Sequence, residues 1–265
     1  MNPNDRMKRH SILLNSIILL IIVLLLSISL FIYTTSFEPF QTNSGTAQLV
    51  VARYEEDISW ITEISDIYDK AFIYNKGAPK DFSIPKSEVK LLPNYGREGY
   101  VYLYHIVNNY NSLSDFTIFV QGSTWARADK KDKLLKSLDI LKNKKTSSVV
   151  GSNDIDHVKS VTSFSLDNYT VSNESNRKNN PESTLKLSAI RPLGEWFTKH
   201  FPNETFNCVS YSPTIVASRE DIQKRPVEFY KVLLEQSAVK NPEVEHYFER
   251  TWKHIMSIDN ENCIG

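Results

Sequence analysis

The sequence predicts an α/β protein with a mostly parallel twisted sheet and helices on both faces of that sheet. Three short apolar runs, residues 48–54, 71–75 and 116–122, have the length and composition of strands. Helical stripes of apolar residues lie between them, at residues 58–68 and 99–109. Short buried strands that alternate with helices are typical of a parallel sheet layered with helices.

The first half of the chain reads as β-α-β-loop-α-β. The run "QLVVARY" is continuously apolar, as expected of a strand that is buried on both faces. The stripe Ile58, Ile61, Ile64 and Ile67 predicts a helix, and acidic residues 55–57 place negative charge in its first turn, where the helix dipole favours it. A proline-containing loop is expected between residue 75 and Tyr95.

The second half is less regular. Leucines at helical spacing predict an amphipathic helix over residues 129–145, whose lysines form the solvent-exposed face. The alternative role for these lysines is contact with a phosphate or an anionic glycan. Residues 162–183, rich in Ser and Asn, predict an exposed insertion. A short helix, the strand-like "PTIVAS" and two closing helices follow, with Ser218 as an N-cap and Pro226 opening the next helix.

The N-terminal region predicts a retained membrane anchor. Residues 12–33 form a 22-residue apolar run, which is enough helix to cross a bilayer core of roughly 30 Å. Basic residues in the preceding 1–11 tail predict a cytosolic N-terminus, and therefore a type II protein. Residues 34–47 then form a stem, 48–258 a lumenal domain and 259–265 a tail. The alternative is a cleaved signal peptide.

Sequons and cysteines agree with a lumenal or extracellular domain. Asn168, Asn173 and Asn203 stand in N-x-[ST] acceptor motifs, which predicts a glycoprotein. The two cysteines, Cys208 and Cys263, are expected to pair in an oxidising compartment; the alternative is a buried free thiol and a frayed one. The ER or Golgi lumen is the expected location.

The composition is that of an ordinary globular domain and excludes one class of partner. Lys plus Arg equals Asp plus Glu at 31 each, so the net charge is zero. A nucleic-acid-binding surface usually shows as a strong positive balance. We therefore expect no nucleic-acid partner.

The glycine distribution predicts a functional site. The chain has only 8 glycines, and Gly96, Gly99 and Gly122 all lie around one predicted helix and one predicted strand. Arg97 and Glu98 stand between the first two, and Gln121 precedes the third. Glycine is used where the backbone needs a positive φ or where another group must approach it closely.

Three segments carry a family resemblance: "VVARYEEDISWI", "LPNYGREGYVYLYHIVNNYNSLSDFTIFVQG" and "IVASREDIQKRPVEFYKVLLEQ" with "HYFERTWKHI". Together they resemble the domain-of-unknown-function 3431 family, whose biochemistry is unassigned. The pattern is also similar, more distantly, to nucleotide-sugar glycosyltransferases of the GT-A type, which have a Rossmann-like α/β fold. This likeness implies a nucleotide binding site at the carboxyl ends of the strands.

The resemblance implies a single-pass type II enzyme that transfers a sugar from a nucleotide-sugar donor to a glycan acceptor. A membrane anchor, a stem and a lumenal catalytic domain are the usual layout of Golgi glycosyltransferases. The alternative function is a non-catalytic, membrane-anchored glycoprotein that keeps the fold. Likeness of fold and topology does not by itself assign chemistry.

The metal that such an enzyme would use is not indicated at the expected place. GT-A enzymes usually hold Mn²⁺ or Mg²⁺ on an Asp-x-Asp motif, because hard cations prefer carboxylate oxygens. Here Ser123 follows Gln121-Gly122 where relatives commonly have an acid. The one Asp-x-Asp, Asp154 and Asp156, is the candidate metal site, although it lies outside the resembling segments. The cofactor is therefore undetermined.

Candidate binding residues each have a structural alternative. Arg97 would bind phosphate beside the following helix N-terminus, or pair with a carboxylate. Glu98 would be a base, or a dipole-stabilised first-turn residue. Asn75 and Lys76 would reach a ribose or phosphate, or form a plain turn. Asp57 would contact a nucleoside, or cap a helix.

Glu249 is the candidate catalytic base. It lies one residue beyond the apolar stripe of the last predicted helix, three residues before Trp252. A carboxylate beside an indole in a partly dehydrated cleft has a raised pKa, as a general base requires. The alternative is a surface ion pair with Lys253. We expect Glu249 to line one cleft with Arg97 and Gln121.

Overall fold

One mixed sheet organises the computed structural model, which describes residues 45–167 and 185–265. Among the described residues it contains seven strands: β1 (Ala47–Arg53), β2 (Lys70–Asn75), β3 (Ser87–Leu91), β4 (Phe116–Gln121), β5 (Ser148–Ser152), β6 (Val209–Ser218) and β7 (Cys263–Ile264). Their order across the sheet is β3-β2-β1-β4-β6-β5-β7.

The strand directions are parallel in one half of the sheet and mixed in the other. β1 runs parallel to both β2 and β4, and β2 runs parallel to β3. β6 is antiparallel to its two neighbours, β4 and β5, and the short β7 is parallel to β5. Because β6 is reversed, its first residues lie at the carboxyl end of β4.

Alternate residues of the central strand face two separate apolar cores. Val50 and Ala52 of β1 belong to one core, while Leu49 and Val51 belong to the other, as the period-two geometry of a strand requires. Helices cover both faces: α1 (Glu98–Asn109), α2 (Ala128–Lys144), α3 (Ile155–Val161), α4 (Leu193–His200), α5 (Arg219–Gln223), α6 (Val227–Ser237) and α7 (Val244–Ile255).

The predicted helix after β1 is wrong in type. The structure has only a short 3₁₀ helix there, Ser59–Ile64. Ile58, Ile61 and Ile64 are buried at intervals of three, which matches the three residues per turn of a 3₁₀ helix. β-branched side chains also disfavour a long α-helix.

Three strands were not predicted from the sequence. β3 falls in the segment that was expected to be a loop; it is an edge strand with mostly exposed side chains, so it carries no apolar run. β5 is five residues long and β7 only two. Strands this short are specified by the neighbours they pair with.

The predicted caps of the closing helices are present. The Ser218 side chain accepts a hydrogen bond from the backbone N–H of Asp221, and Pro226 directly precedes α6. The predicted apolar stripe of α7 is also buried: Val244, Tyr247, Phe248, Thr251 and Ile255.

Glu243 anchors the start of α7 from a fully buried position. Its carboxylate accepts hydrogen bonds from the backbone N–H groups of Leu166 and Ser188, at 2.8 and 2.9 Å. It also accepts from Arg191 Nε and from the Tyr247 hydroxyl. A carboxylate with four donors is well satisfied although buried, so the first turn of α7 is firmly placed.

The predicted pairing of the two cysteines is present in the structure. Cys208 and Cys263 form a disulfide bond with a Cα–Cα distance of 6.4 Å. The bond joins the residue before β6 to β7. Gly151 of β5 lies against it, where an added Cβ would be 3.0 Å from Cys208 Sγ.

Several predictions concern residues outside the described ranges. The anchor at residues 12–33, the sequons at Asn168 and Asn173, and most of the stem and of the insertion at 162–183 belong to this group. Within residues 45–167 and 185–265, no helix has the length and apolar character needed to span a bilayer. Asn203 lies within the described ranges and is exposed in a turn.

Candidate functional site

The carboxyl ends of the parallel strands define the place where a ligand is expected. The chain runs from β1 outward to β2 and β3, then returns to β4 on the other side of β1. Such a reversal of strand order is a topological switch point, and open α/β sheets bind ligands in the crevice at the carboxyl ends beside it. Gln121 ends β4 at this edge.

A polar cleft of about 210 Å³ lies at the carboxyl end of β4. The segment before and at the start of α1 forms one wall, the start of α2 a second, and β6 with α7 a third. The cleft is lined by Arg97, Glu98, Gln121, Arg127, Asp129, Lys130, Lys133, Tyr211, Ser212, Pro213 and Glu249. The structure therefore brings Arg97, Gln121 and Glu249 to one cleft.

Lys130 is the cation held most closely at the end of β4. Its ammonium group donates to Gln121 Oε1 at 2.5 Å and lies 3.5 Å from Ser123 Oγ. Burial lowers the pKa of Lys130 from its ordinary value, although nearby carboxylates, Glu98 first, oppose this shift. The ammonium is positioned by neutral oxygens and keeps its charge available for an anion.

Arg127 is less available because it is paired. Its guanidinium binds the Asp129 carboxylate through two hydrogen bonds of 3.0 Å, both on the exposed rim of the cleft. The Arg127 hydrogen bond lowers the pKa of Asp129. This pair forms the outer edge of the site, while Arg97 and Lys133 add positive charge elsewhere in its lining.

Two glutamates, Glu98 and Glu249, place negative charge beside these cations. The side chain of Glu249 is 29% exposed, and it forms an ion pair with Arg250 at 3.7 Å. Burial raises the pKa of Glu249, and the charge of Glu98 raises it further. The alternative pair with Lys253 does not form, because Lys253 donates instead to Asn207 and Asn260.

The three glycines that predicted the site make room for two glutamate side chains. An added Cβ would be 2.6 Å from Glu245 Oε1 at Gly96, and 2.4 Å from Glu245 Oε2 at Gly99. At Gly122 it would be 2.9 Å from Glu56 Oε2. Real Cβ atoms do not approach so closely, so these glycines permit close approach of protein carboxylates to the backbone.

The N-terminus of α1 is not an open anion site. The backbone N–H of Gly99 donates to Glu245 Oε2 at 3.0 Å, so a protein carboxylate already occupies the place that the sequence assigned to a phosphate. Arg97, which precedes α1, still lines the cleft. Arg97 therefore does not stand beside a phosphate bound at the N-terminus of α1, as the sequence predicts. It does lie in the cleft with Gln121 and Glu249, as expected.

Two other candidate binding residues, Asn75 and Lys76, make hydrogen bonds that stabilise the fold. Asn75 is fully buried, and its side chain bonds Arg53, Gly77 and Ala78. Lys76 donates to three backbone carbonyls of residues 95–97. Both were expected at a ribose or phosphate, and the turn interpretation is the one that these contacts fit, because every bond they make is internal.

Asp57 also takes its structural alternative. Its carboxylate accepts hydrogen bonds from the backbone N–H and the hydroxyl of Ser59, at 3.0 and 2.9 Å. The backbone hydrogen bond from Ser59 is the main reason that the pKa of Asp57 is lowered. Asp57 therefore bonds Ser59, the first residue of the short 3₁₀ helix, from two positions before it, and is not among the residues that line the cleft.

The metal candidates Asp154 and Asp156 are exposed and are not among the residues that line the cleft. Asp154 caps α3 by accepting a hydrogen bond from the backbone N–H of His157, and Asp156 points to solvent in its first turn. In the described part of the chain, no group of three or more His, Cys, Asp or Glu side chains is arranged to hold a metal ion.

Several lining residues were missed by sequence reasoning. The sequence assigns Lys130 and Lys133 to the solvent face of their helix. Lys130 stands one turn before buried Leu134, on the same side of the helix, and this spacing was the available signal. Tyr211 gave no signal, because a strand tyrosine is an ordinary residue in that context. Glu245, which is buried and does not line the cleft, gave no signal either, because glutamate is ordinary in a helix.

The comparisons with known proteins show a family but no activity. A family model described as "Protein of unknown function (DUF3431)" matches residues 49–265, which is most of the chain. The chain therefore belongs to this family, as the resembling segments predict. No curated protein matches the chain significantly.

Proposed function

We propose that the domain is a glycosyltransferase that binds a nucleoside-diphosphate sugar in the cleft at the end of β4. The observation that carries the proposal is the combination, at a topological switch point, of a cationic cluster with a partly dehydrated carboxylate. Lys130 and Arg97 would face the diphosphate, and Glu249 would face the acceptor hydroxyl. The GT-A/Rossmann-like likeness of the sequence supports the same class.

The reaction follows from these roles. Glu249 removes the proton of an acceptor hydroxyl, the freed oxygen bonds to the anomeric carbon of the donor sugar, and the bond from that carbon to the diphosphate breaks. The nucleoside diphosphate leaves with the electron pair, and its new negative charge is stabilised by Lys130 and Arg97. A raised pKa at Glu249 suits a base that acts near neutral pH.

The size of the cleft limits which part of the donor it holds. Complete small-molecule sites occupy roughly 300–1,000 Å³, whereas this cleft measures about 210 Å³. It therefore accommodates the diphosphate and the reacting carbon, with the nucleoside outside it. Mn²⁺ or Mg²⁺ would find only Glu98, Asp129 and Glu249 as carboxylates in the lining, so Lys130 is the proposed main counter-charge.

Donor binding is tested first, on the full-length chain. Nucleoside diphosphates and their sugars are screened by thermal shift; a ligand present at 100 times its dissociation constant adds about 2.7 kcal/mol to the unfolding free energy. We expect Lys130→Met to weaken diphosphate binding tenfold or more, because a charge-assisted hydrogen bond contributes about 1.5–3 kcal/mol.

Lys142→Met is the matched control, since Lys142 lies exposed in the last turn of the same helix. Equal loss of affinity in both variants would contradict a site at Lys130. Donor binding without release of nucleoside diphosphate in the presence of glycan acceptors would favour the non-catalytic alternative.

We also propose, from the sequence, that residues 12–33 anchor the domain on the lumenal side of the ER or Golgi membrane. The exposed turn at Asn203 supports glycosylation there. In a eukaryotic host, endoglycosidase should increase the gel mobility of the protein, and Asn203→Gln should remove one glycan from it. An unchanged mobility, together with protease access to the domain from the cytosol, would contradict this topology.

A further inference from the structure

The carboxyl group of Glu245 is buried directly beneath one wall of the cleft. Glu245 is only 4% exposed and lies in the first turn of α7, one turn before Glu249. One carboxyl oxygen accepts the hydrogen bond from Gly99, and the other is buried and makes no hydrogen bond with the described residues. Such a half-satisfied buried carboxyl group is costly, so it calls for an explanation beyond packing.

The turn at residues 94–99 is built around this carboxyl group. Gly96 has a φ of +49°, and neither Gly96 nor Gly99 has space for a Cβ against Glu245. From the other side, the Lys76 ammonium holds the carbonyl oxygens of Tyr95, Gly96 and Arg97, at 3.2, 3.3 and 2.8 Å. The backbone that presents Arg97 and Glu98 to the cleft is thus held between the carboxyl group of Glu245 and the ammonium group of Lys76.

We propose that Glu245 is a positioning residue whose ionisation state sets the conformation of the 94–99 turn, and through it the affinity of the cleft for a diphosphate. The identity of the ligand, a diphosphate, rests on the proposed function. The contacts between Glu245 and the 94–99 turn do not depend on that function. Glu245 touches neither donor nor acceptor; it acts through Gly99, Arg97 and Glu98.

The charged and titratable groups around Glu245 determine the direction of the effect. Glu98 and Tyr102 face it from α1, Lys76 from the end of β2, and Arg97 from the turn. Burial raises the pKa of Glu245 to about 8, Glu98 adds to the rise, and Lys76 and Arg97 oppose it. Below pH 8 the carboxyl group is therefore mainly neutral, and above it a negative charge develops under the cleft.

Two consequences follow for pH dependence. The negative charge repels an anionic ligand and draws Arg97 away from it, so affinity for a diphosphate falls as pH rises through about 8. Since the folded pKa lies above the ordinary value of 4.5, Glu245 also makes the folded state progressively less stable as pH rises from about 4.5 to 8. Glu245→Gln, which keeps an acceptor for Gly99, removes both dependences.

The first test needs no ligand. Amide hydrogen exchange of residues 94–100 is measured in the full-length chain at pH 6.5 and pH 9, after correction for the intrinsic pH dependence of exchange. We expect protection of this segment to differ at least threefold between the two values in the native chain. In Glu245→Gln it should stay constant. Glu228→Gln, an exposed glutamate on α6, is the control and should behave like the native chain.

The second test uses inorganic pyrophosphate as the probe. Calorimetry at the same two pH values should give an affinity loss of about fivefold or more in the native chain that is absent in Glu245→Gln and still present in the exposed control Glu228→Gln. Identical exchange and affinity profiles in the native chain and Glu245→Gln would overturn the inference. If pyrophosphate does not bind at either pH, the proposed function fails, while the exchange measurement still decides the role of Glu245.

Discussion

Replacing Glu249 by Gln is expected to reduce the turnover number for sugar transfer by about 10²–10⁴-fold, the usual contribution of a general base. Glutamine keeps the shape of the side chain but cannot accept the acceptor's proton. The donor's diphosphate is held by cations on other elements, so its affinity should change little. Turnover and donor affinity are measured separately, by product formation and by calorimetry.

The control for this variant is Glu195→Gln, since Glu195 lies on α4 and does not line the cleft. It should retain native turnover. A Glu249→Gln variant with more than one-tenth of native turnover would show that another group takes the proton, and Glu98 would then be the next candidate in the lining.

The pH profile supplies an independent check of the same role. A base must be ionised, so the rate should rise with pH through the pKa of Glu249, which burial and Glu98 raise above its ordinary value of 4.5. Removing the Glu98 charge with Glu98→Gln should move this rising limb to lower pH. If the rising part of the pH–rate profile is unchanged in Glu98→Gln, it reflects the ionisation of a group other than Glu249.

Of the substitutions considered, removal of the disulfide bond should lower the free energy of unfolding the most. The Cys208–Cys263 bond closes a loop with a sequence separation of 55 residues, and such a loop contributes about 4 kcal/mol in the chain-entropy model. Cys208→Ser with Cys263→Ser should therefore lower the unfolding temperature by about 8–16 °C, at 2–4 °C per kcal/mol for a domain of this size. Thermal unfolding of both proteins measures the difference.

Thiol titration provides the control for the disulfide. The native chain, denatured without reductant, should expose no reactive thiol, and after reduction it should expose two. Two free thiols before reduction would show that the bond does not form. An unfolding temperature that is equal in the native and double-serine chains would show that β7 is held by its pairing with β5 alone.

Most of the sheet could be predicted from local pattern. β1, β2 and β4 are apolar runs that the sheet buries, and α1, α2 and α7 have stripes of buried residues at helical spacing. The exposed edge strand β3 and the two-residue β7 carry no such pattern, because pairing with neighbours specifies them. The isoleucines after β1 fit both a 3.6 and a 3.0 period, so their spacing could not distinguish an α-helix from a 3₁₀ helix.

The candidate site was predicted in part. Glycine usage pointed to the correct region, yet the groups that require those glycines, Glu245 and Glu56, are distant in sequence from them. Asn75, Lys76 and Asp57 are polar residues at strand ends, which is also where the chain uses side chains to bond its own turns. The sequence cannot distinguish a polar residue that binds a ligand from one that bonds a turn of the chain itself. The partner in the second case is mostly a backbone carbonyl or N–H group, which every residue has.

The sequence by itself determined the family, the α/β class and the caps of the closing helices, and it gave the pairing of its two cysteines as one of two alternatives. These depend on composition, short periods and local chemistry, which the chain order displays directly. Only the tertiary structure decided that β6 runs antiparallel beside β4, and hence that Tyr211 and Glu249 face Gln121 and Lys130 across one cleft. Contacts between residues about 80 to 130 positions apart arise from the packing of whole elements, and no local pattern records them.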